Sequence, residues 1–403
     1  GWVDCKEGSV FSFASELKAL KKFPSFSNTV SRRALIQYFS FMYVPCPLSI
    51  YDGIFKLEPG CILKISSKPP QTKIKKIPHS SSGKSLNFES LSISKWYDFK
   101  EVVSSASQNL FTSYDEASTA LENELMQVIE MQSLSDVPLG AFLSGGVDSS
   151  VIVALMQKNS INPIKTFTIG FEDPEFDESQ FASDVAQHLN TDHSELLVTA
   201  DDARSIIPDL PNLYDEPFAD YSQIPTYFVC KSAKRSVTVS LSGDAGDELF
   251  GGYNRYLMGP RLWHKLRLMP RFARTAIGVL LRFIPVKLWD IAFHLFSRVL
   301  RRDISFKQFG DKVHRFALRL RDVHSEDDLF RHLISEPDVD KLVKFQNHSL
   351  EASEIIPSFL KDTLPEEGLT DFASKMMYRD TLNYLTDDIL CKVDRAAMGV
   401  SLE

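Results

Sequence analysis

The chain has 403 residues, 43% of them hydrophobic and 24% charged, with a formal net charge of −8. That length asks for two or three domains, and that composition excludes disordered, collagen-like and mucin-like chains. Five cysteines (Cys5, Cys46, Cys61, Cys230, Cys391) lie far apart with no CxxC pair. This excludes a disulfide scaffold and a cysteine zinc site and points to a reducing compartment, so a cytoplasmic location is expected.

The most apolar stretch, 277–300, is interrupted by Arg282, Lys287, Asp290, His294 and Arg298, so no segment reads as a membrane span. The N-terminus lacks the basic start and apolar run of a signal peptide. It also lacks Met, so the chain is expected to begin partway through a longer protein.

In chain order, residues 1–77 read as strands and turns, with helices over 15–21 and 31–43. Residues 50–65 carry a β pattern broken by Asp52-Gly53 and Pro59-Gly60. The serine-rich stretch 78–93 reads as linker, and 78–112 is expected to separate two domains. A helix over 115–131 places Leu121, Leu125, Val128 and Ile129 on one face. Strands then fall over 137–143, 165–171, 194–198 and 236–241. Helices follow over 149–158, 178–189, 202–207 and 223–234. This alternation predicts a parallel α/β sheet with helices on both faces. Beyond Gly252 the chain reads as helical. Its first part is basic: residues 255–321 hold 16 Lys/Arg against three acids, a balance of +13 that leaves −21 on the remainder.

Two motifs carry chemistry. Leu143-Ser144-Gly145-Gly146-Val147-Asp148-Ser149-Ser150 follows one strand and opens a helix. Its glycines let backbone N–H groups approach an anion, the helix N-terminus adds positive partial charge, and Ser144, Ser149 and Ser150 add hydroxyls. This is a phosphate cradle distinct from GxxxxGK[ST]. Asp148 beside a phosphate calls for a cation, expected to be Mg²⁺. The second motif, Leu241-Ser242-Gly243-Asp244-Ala245-Gly246-Asp247-Glu248, follows another strand, and Asp148 and Asp247 form the natural pair of metal ligands. Two weaker elements follow. The backbone of Ile169 could edge an adenine, and residues 214–223 could bind a small polar substrate or simply cap the next helix.

The paired motifs resemble the signatures of glutamine-dependent asparagine synthetases of the class B type. Residues 1–77 are similar to the end of that family's glutaminase (class II amidotransferase) domain, and 113–403 to its ATP-pyrophosphatase domain. The resemblance implies a sheet of the adenine-nucleotide α-hydrolase type, preceded by the remnant of a β-rich glutaminase domain. It also implies ATP, Mg²⁺, aspartate and glutamine-derived ammonia as cofactors and substrates, with a β-aspartyl-AMP intermediate. By position it assigns ATP contacts to Leu143, Ile169, Ser242 and Gly243, in addition to Ser144, Gly145, Gly146, Asp148 and Ser149 from the cradle. Asp244 takes the place of an acid that serves acyl-adenylate formation.

The family's glutaminase nucleophile is an N-terminal cysteine. Cys5 matches a different strand and is not taken as that nucleophile, so the chain is expected to be a fragment truncated at both ends, without glutaminase activity. A homodimer is admitted as an option, no membrane partner is expected, and nucleic acid is disfavoured. Relatives usually carry Gly or Ser where Ala245 stands, so the turn is expected to adopt an ordinary conformation there. Two alternatives remain at this stage. One is amidation or cyclisation of another carboxylate, as in β-lactam synthetase-like relatives. The other is an RNA-binding or RNA-modifying ATP pyrophosphatase that uses the basic block.

Overall fold

The computed structural model describes residues 2–5, 8–66, 86–88, 90–173, 177–299, 309–336, 339, 357–360, 364–365 and 368–403. The chain divides into two compact units, one of Gly1–Gly252, Asn347–Gly368 and Tyr378–Glu403, the other of Tyr253–Gln346 and Leu369–Met377.

The first unit opens with an antiparallel hairpin, β1 (Trp2–Cys5) and β2 (Gly8–Phe11), followed by α1 (Leu17–Leu20) and α2 (Arg32–Phe41). Helix α2 starts where the Ser31 hydroxyl accepts from the Ala34 N–H, and it buries Ala34, Ile36 and Phe41. The β pattern over 50–65 resolves into a strand only at β3 (Cys61–Ile65). Its earlier part makes the isolated bridges Val30↔Tyr51 and Leu48↔Phe55.

The stretch read as linker is partly structured. Strands β4 (Leu86–Phe88) and β5 (Leu91–Lys95) join β3 in an antiparallel sheet of order β3-β5-β4, and α3 (Phe99–Ala106) follows, capped by Asp98. Such short strands are held by cross-strand partners far back in sequence, which local composition does not reveal. Residues 67–85, where the predicted boundary at 77 and 78 falls, lie outside the described residues.

Four parallel strands form the central sheet: β6 (Leu139–Phe142), β7 (Lys165–Phe171), β8 (Asp192–Val198) and β9 (Val239–Leu241), in the order β8-β7-β6-β9. On one face lie α4 (Tyr114–Gln132), α5 (Val147–Lys158) and α6 (Ser179–Leu189), whose Ile129, Val153, Met156 and Ala182 pack on Ala141 and Leu143. Leu121 and Val128 do not join them and are 38% and 43% exposed, so α4 contributes a narrower stripe than its periodicity suggests.

The short helices α7 (Ala200–Ile206) and α8 (Leu210–Tyr214) lead into α9 (Gln223–Ala233). From the end of the chain come α16 (Phe372–Leu382), a π-helical turn (Leu385–Ile389) and α17 (Leu390–Gly399). Helices α9 and α17 cover the other face: Cys230, Ala233, Ala396 and Ala397 surround Phe167 and Val237. After α17, Glu403 extends the sheet edge, its N–H donating to the Thr238 carbonyl while its own carbonyl accepts from Ser240.

The strand order follows the chain from β6 outward through β7 to β8 and then returns to the opposite side of β6 for β9. Open α/β sheets bind ligands at such a reversal, outside the carboxyl ends of the strands. The two motifs follow β6 and β9, the strands that meet there.

The second unit is helical throughout its described residues: α11 (Asn254–Leu268), α12 (Arg271–Phe283), α13 (Val286–Val299), α14 (Phe309–Asp322) and α15 (Glu326–Ile334). Helix α12 lies close along α14, where a Cβ on Gly278 would stand 2.7 Å from the Ala317 carbonyl oxygen. The buried Arg274 donates to the Val323 carbonyl at 2.8 Å and pins the same face.

Candidate active site

Strand β6 ends at Phe142, and the chain turns through Ser144, Gly145 and Gly146 into α5. Gly145 has φ +79° and sits against α6, where a Cβ would lie 2.6 Å from the Phe181 Cβ and 2.7 Å from the Ala182 nitrogen. Only glycine satisfies both the conformation and the space. The loop is laced internally. The Ser144 and Ser149 hydroxyls are 3.0 Å apart, Ser144 N–H donates to Ser149 Oγ, and Gly146 N–H donates to Ser144 Oγ.

Two of the three serine hydroxyls read as anion donors are turned inward here. The Ser149 hydroxyl is occupied in shaping the loop, and the Ser150 hydroxyl is buried. The donors left for an anion are the exposed Ser144 and the first backbone N–H groups of α5.

The second motif leaves β9 and packs directly on this helix start. A Cβ on Gly243 would stand 2.6 Å from the Ser149 nitrogen, and one on Gly246 would meet the Asp148 carboxylate, 2.7 Å from either oxygen. Gly246 opens the short α10 (Gly246–Phe250), whose first turn carries Asp247 and Glu248. Glu248 is 1% exposed and faces inward, whereas Asp244 is exposed. Asp148 is held above the usual carboxylate range, first by partial burial and then by the negative charge of Asp247. The two carboxylates are therefore near enough to repel.

Ala245 departs from expectation. It takes φ +81°, ψ −10°, the left-handed region, not an ordinary conformation. Packing of Gly243 and Gly246 on α5 fixes both flanks of the turn, and this outweighs the roughly 1–2 kcal/mol preference of an L-residue for negative φ.

Of the other predicted contacts, Leu143 buries its side chain in the core at 1% exposure, so only its backbone can face a ligand. Ile169 packs with Val198, Ile206 and Phe228 and likewise offers only main chain. Asp177, beside that strand, accepts from the N–H groups of Phe171 and Ser179, the ordinary strand–helix turn.

Residues 214–223 are tied down from two sides. Lys392 of α17 donates to Asp220 Oδ2 at 2.8 Å and to the Ser222 hydroxyl at 2.7 Å, with both charged side chains under a tenth exposed. On the other side, Glu216 pairs with Lys56 at 2.5 Å and accepts from the Ile50 N–H, and Asp387 accepts from the Cys46 N–H at 2.8 Å. Helix α9 runs antiparallel to the strands, so its N-terminus, with Asp220 to Ser222, lies on the carboxyl side of the sheet. Sequence reasoning missed Lys392 and Lys56 as contributors here, because each lies more than a hundred residues from its partner in this segment.

Burial pushes Asp388 up to about 8, aided by the charge of Asp220, and pushes Asp387 up to about 6 against the pull of Lys56. The unfolded chain ionises both near pH 4. The native state therefore holds protons that the unfolded chain has lost, and stability falls as pH rises from about 4 through about 8. Asp388→Asn should flatten this fall. Melting temperatures of both proteins from about pH 5 to 8.5 test it; parallel curves would assign the loss to other groups.

The chain is thus an open parallel α/β protein whose two glycine–carboxylate loops meet at the reversal point of the sheet, the place where such sheets bind ligands. The sequence matches the family described as "Asparagine synthase" over residues 120–403, and a "Glutamine amidotransferase domain" over residues 2–75. The chain belongs to the asparagine synthase family. It is 34% identical to the "Putative asparagine synthetase [glutamine-hydrolyzing] 2" of Methanocaldococcus jannaschii over 273 residues, covering 67% of this chain and 48% of the relative. To the "Asparagine synthetase [glutamine-hydrolyzing] 1" of Bacillus subtilis it is 29% identical over 393 residues, covering 97% of this chain and 53% of the relative. The chain thus spans about half the length of these curated relatives.

Proposed function

We propose that this chain carries the carboxylate-activating site of a glutamine-dependent asparagine synthetase. In this reading the side-chain carboxylate of aspartate attacks the α-phosphorus of ATP. An O–P bond forms, the Pα–O–Pβ bond breaks, and β-aspartyl-AMP and pyrophosphate result. Ammonia drawn from glutamine then attacks the acyl carbon, AMP leaves with the C–O electron pair, and the nitrogen loses a proton. The observation that carries the reading is the contact of the two loops: Gly243 and Gly246 bring the acids of the second motif against the anion-binding start of α5.

The residues suit Mg²⁺. Asp148 and Asp247 repel one another, and a divalent cation would relieve that repulsion. Among the described residues no group of three or more His, Cys, Asp or Glu could hold a metal. Mg²⁺ fits such a pair, since it is commonly held by one or two carboxylates with substrate phosphates completing its shell. When bound it would neutralise charge on the departing pyrophosphate. The chain itself would offer the N–H groups of Val147 and Asp148, at the start of α5, to phosphate oxygens, and Gly246 leaves room for the Asp148 carboxylate. Asp244, exposed beside them, is the acid that this reading assigns to acyl-adenylate formation.

Amidation or cyclisation of a different carboxylate would use the same loops, with the segment held by Lys392 choosing the acceptor. Nucleotide products separate the possibilities. With ATP, Mg²⁺, aspartate and ammonium, the expected products are AMP and pyrophosphate in an aspartate-dependent reaction. ADP and inorganic phosphate would refute adenylation. AMP formation independent of aspartate would refute the acceptor.

A further inference from the structure

The sequence holds eight Lys/Arg and no Asp or Glu between Arg255 and Trp289. Helix α12 lies in the middle of this stretch, and its inner face is fixed on α14 through Arg274 and Gly278. The outer face is therefore fixed as well. It carries Phe272, Val279, Leu280 and Phe283, exposed by 79%, 55%, 66% and 84%. Positions i, i+7, i+8 and i+11 fall in one stripe along a helix, so these side chains form a continuous apolar ridge. Single exposed apolar residues are ordinary, but an aromatic and aliphatic ridge along a whole helix marks an interaction surface. Arg271 and Arg282, both exposed, flank the ridge, and Lys287 with the half-exposed Leu288 and Ile291 carries the same character onto α13.

The charge pattern selects the occupant. A second copy presenting the same face would bring like charge against like charge. Nucleic acid would satisfy the arginines but leave the aliphatic ridge in water. An anionic lipid surface satisfies both, with the ridge entering the acyl boundary and the guanidinium groups remaining at the headgroup phosphates. We propose that α12 is an interfacial anchor that docks this protein onto anionic membranes, lying in the surface and not crossing it. The proposal departs from the expectation of no membrane partner and is independent of the reaction proposed above.

The test is co-sedimentation of the purified protein with vesicles of phosphatidylcholine alone and of phosphatidylcholine with about a third phosphatidylglycerol. Binding is expected only to the anionic vesicles, weakening as salt rises. The double variant Phe272→Ser/Phe283→Ser should weaken it at least about tenfold. Arg271→Gln and Arg282→Gln should weaken it about fivefold each. All these side chains are exposed, so an unchanged circular-dichroism melt verifies folding. Absence of vesicle binding, or binding indifferent to the serine variant, overturns the proposal. So does a dimer that the serine variant dissociates without any vesicle binding, which would make the ridge a contact between copies. RNA retention unaffected by the serine variant, with no vesicle binding, would reassign the face to phosphate binding.

Discussion

Asp148→Asn and Asp247→Asn are each expected to lower aspartate-dependent pyrophosphate release by about a hundred- to a thousandfold, the range seen when one preorganised electrostatic group is removed from a reacting centre. The melting temperature should hold or rise slightly. Asp148 stands in the first turn of α5 and Asp247 in the first turn of α10, and neither belongs to the apolar core. Asp148 is destabilised as an anion by burial and by Asp247, so neutralising either partner removes a repulsion from the free protein. A loss confined to turnover places both groups in the chemistry. Near-normal turnover in either variant would remove the paired-carboxylate site from the reading. A falling melt that tracks the lost activity would make the residue structural.

Lys392→Met should be the most destabilising single change among the charged residues discussed. It leaves Asp220 buried without its cation, and breaking one partner of a buried pair costs about 3–5 kcal/mol. The double variant Lys392→Met/Asp220→Asn removes both charges and should recover most of that loss. Denaturant unfolding of wild type, both singles and the double gives the coupling directly. Because Ser222 shares the Lys392 ammonium, the apparent affinity for the acceptor carboxylate should weaken in the single variant more than that for ATP. Equal stability losses in the single and double variants would show that the pair itself contributes nothing.

The parts of the fold legible in the sequence are those that local pattern decides. Strand β6 is a short apolar run and β8 ends in one, Leu196–Val198, and the helices α5, α6, α7 and α9 begin within about two residues of the positions that the pattern indicates. The cradle was legible because a serine–glycine turn between an apolar strand and a helix start is a local pattern, and Gly145 takes the positive φ that such a turn calls for. What composition could not show is long-range. β5 pairs with β3 across a serine-rich stretch that looks like linker. Ala245 adopts positive φ because its neighbours are held by another loop. Lys392 finds Asp220 at a separation of 172 residues. Ser149 suggested a ligand donor by its position, but its hydroxyl closes the loop on itself.

The ties from the early chain to the later one bear on how the polypeptide can be dissected for expression. Lys56 is buried, which alone would pull its ammonium down, yet Glu216 and Asp387 outweigh this and hold it well above the usual lysine range. Lys56 also donates to the Val44 carbonyl, and Arg395 reaches back to Glu16 at 2.9 Å and to the Ser15 carbonyl. A cut at the apparent linker would strip Glu216 and Asp387 of their countercharge and open their apolar surroundings to water. A fragment beginning at Ser113 would thus have paired acids where the intact chain has an ion pair. Supplying residues 1–66 as a separate polypeptide would be the natural way to restore it, because the countercharge of Glu216 and Asp387 comes from before the serine-rich stretch.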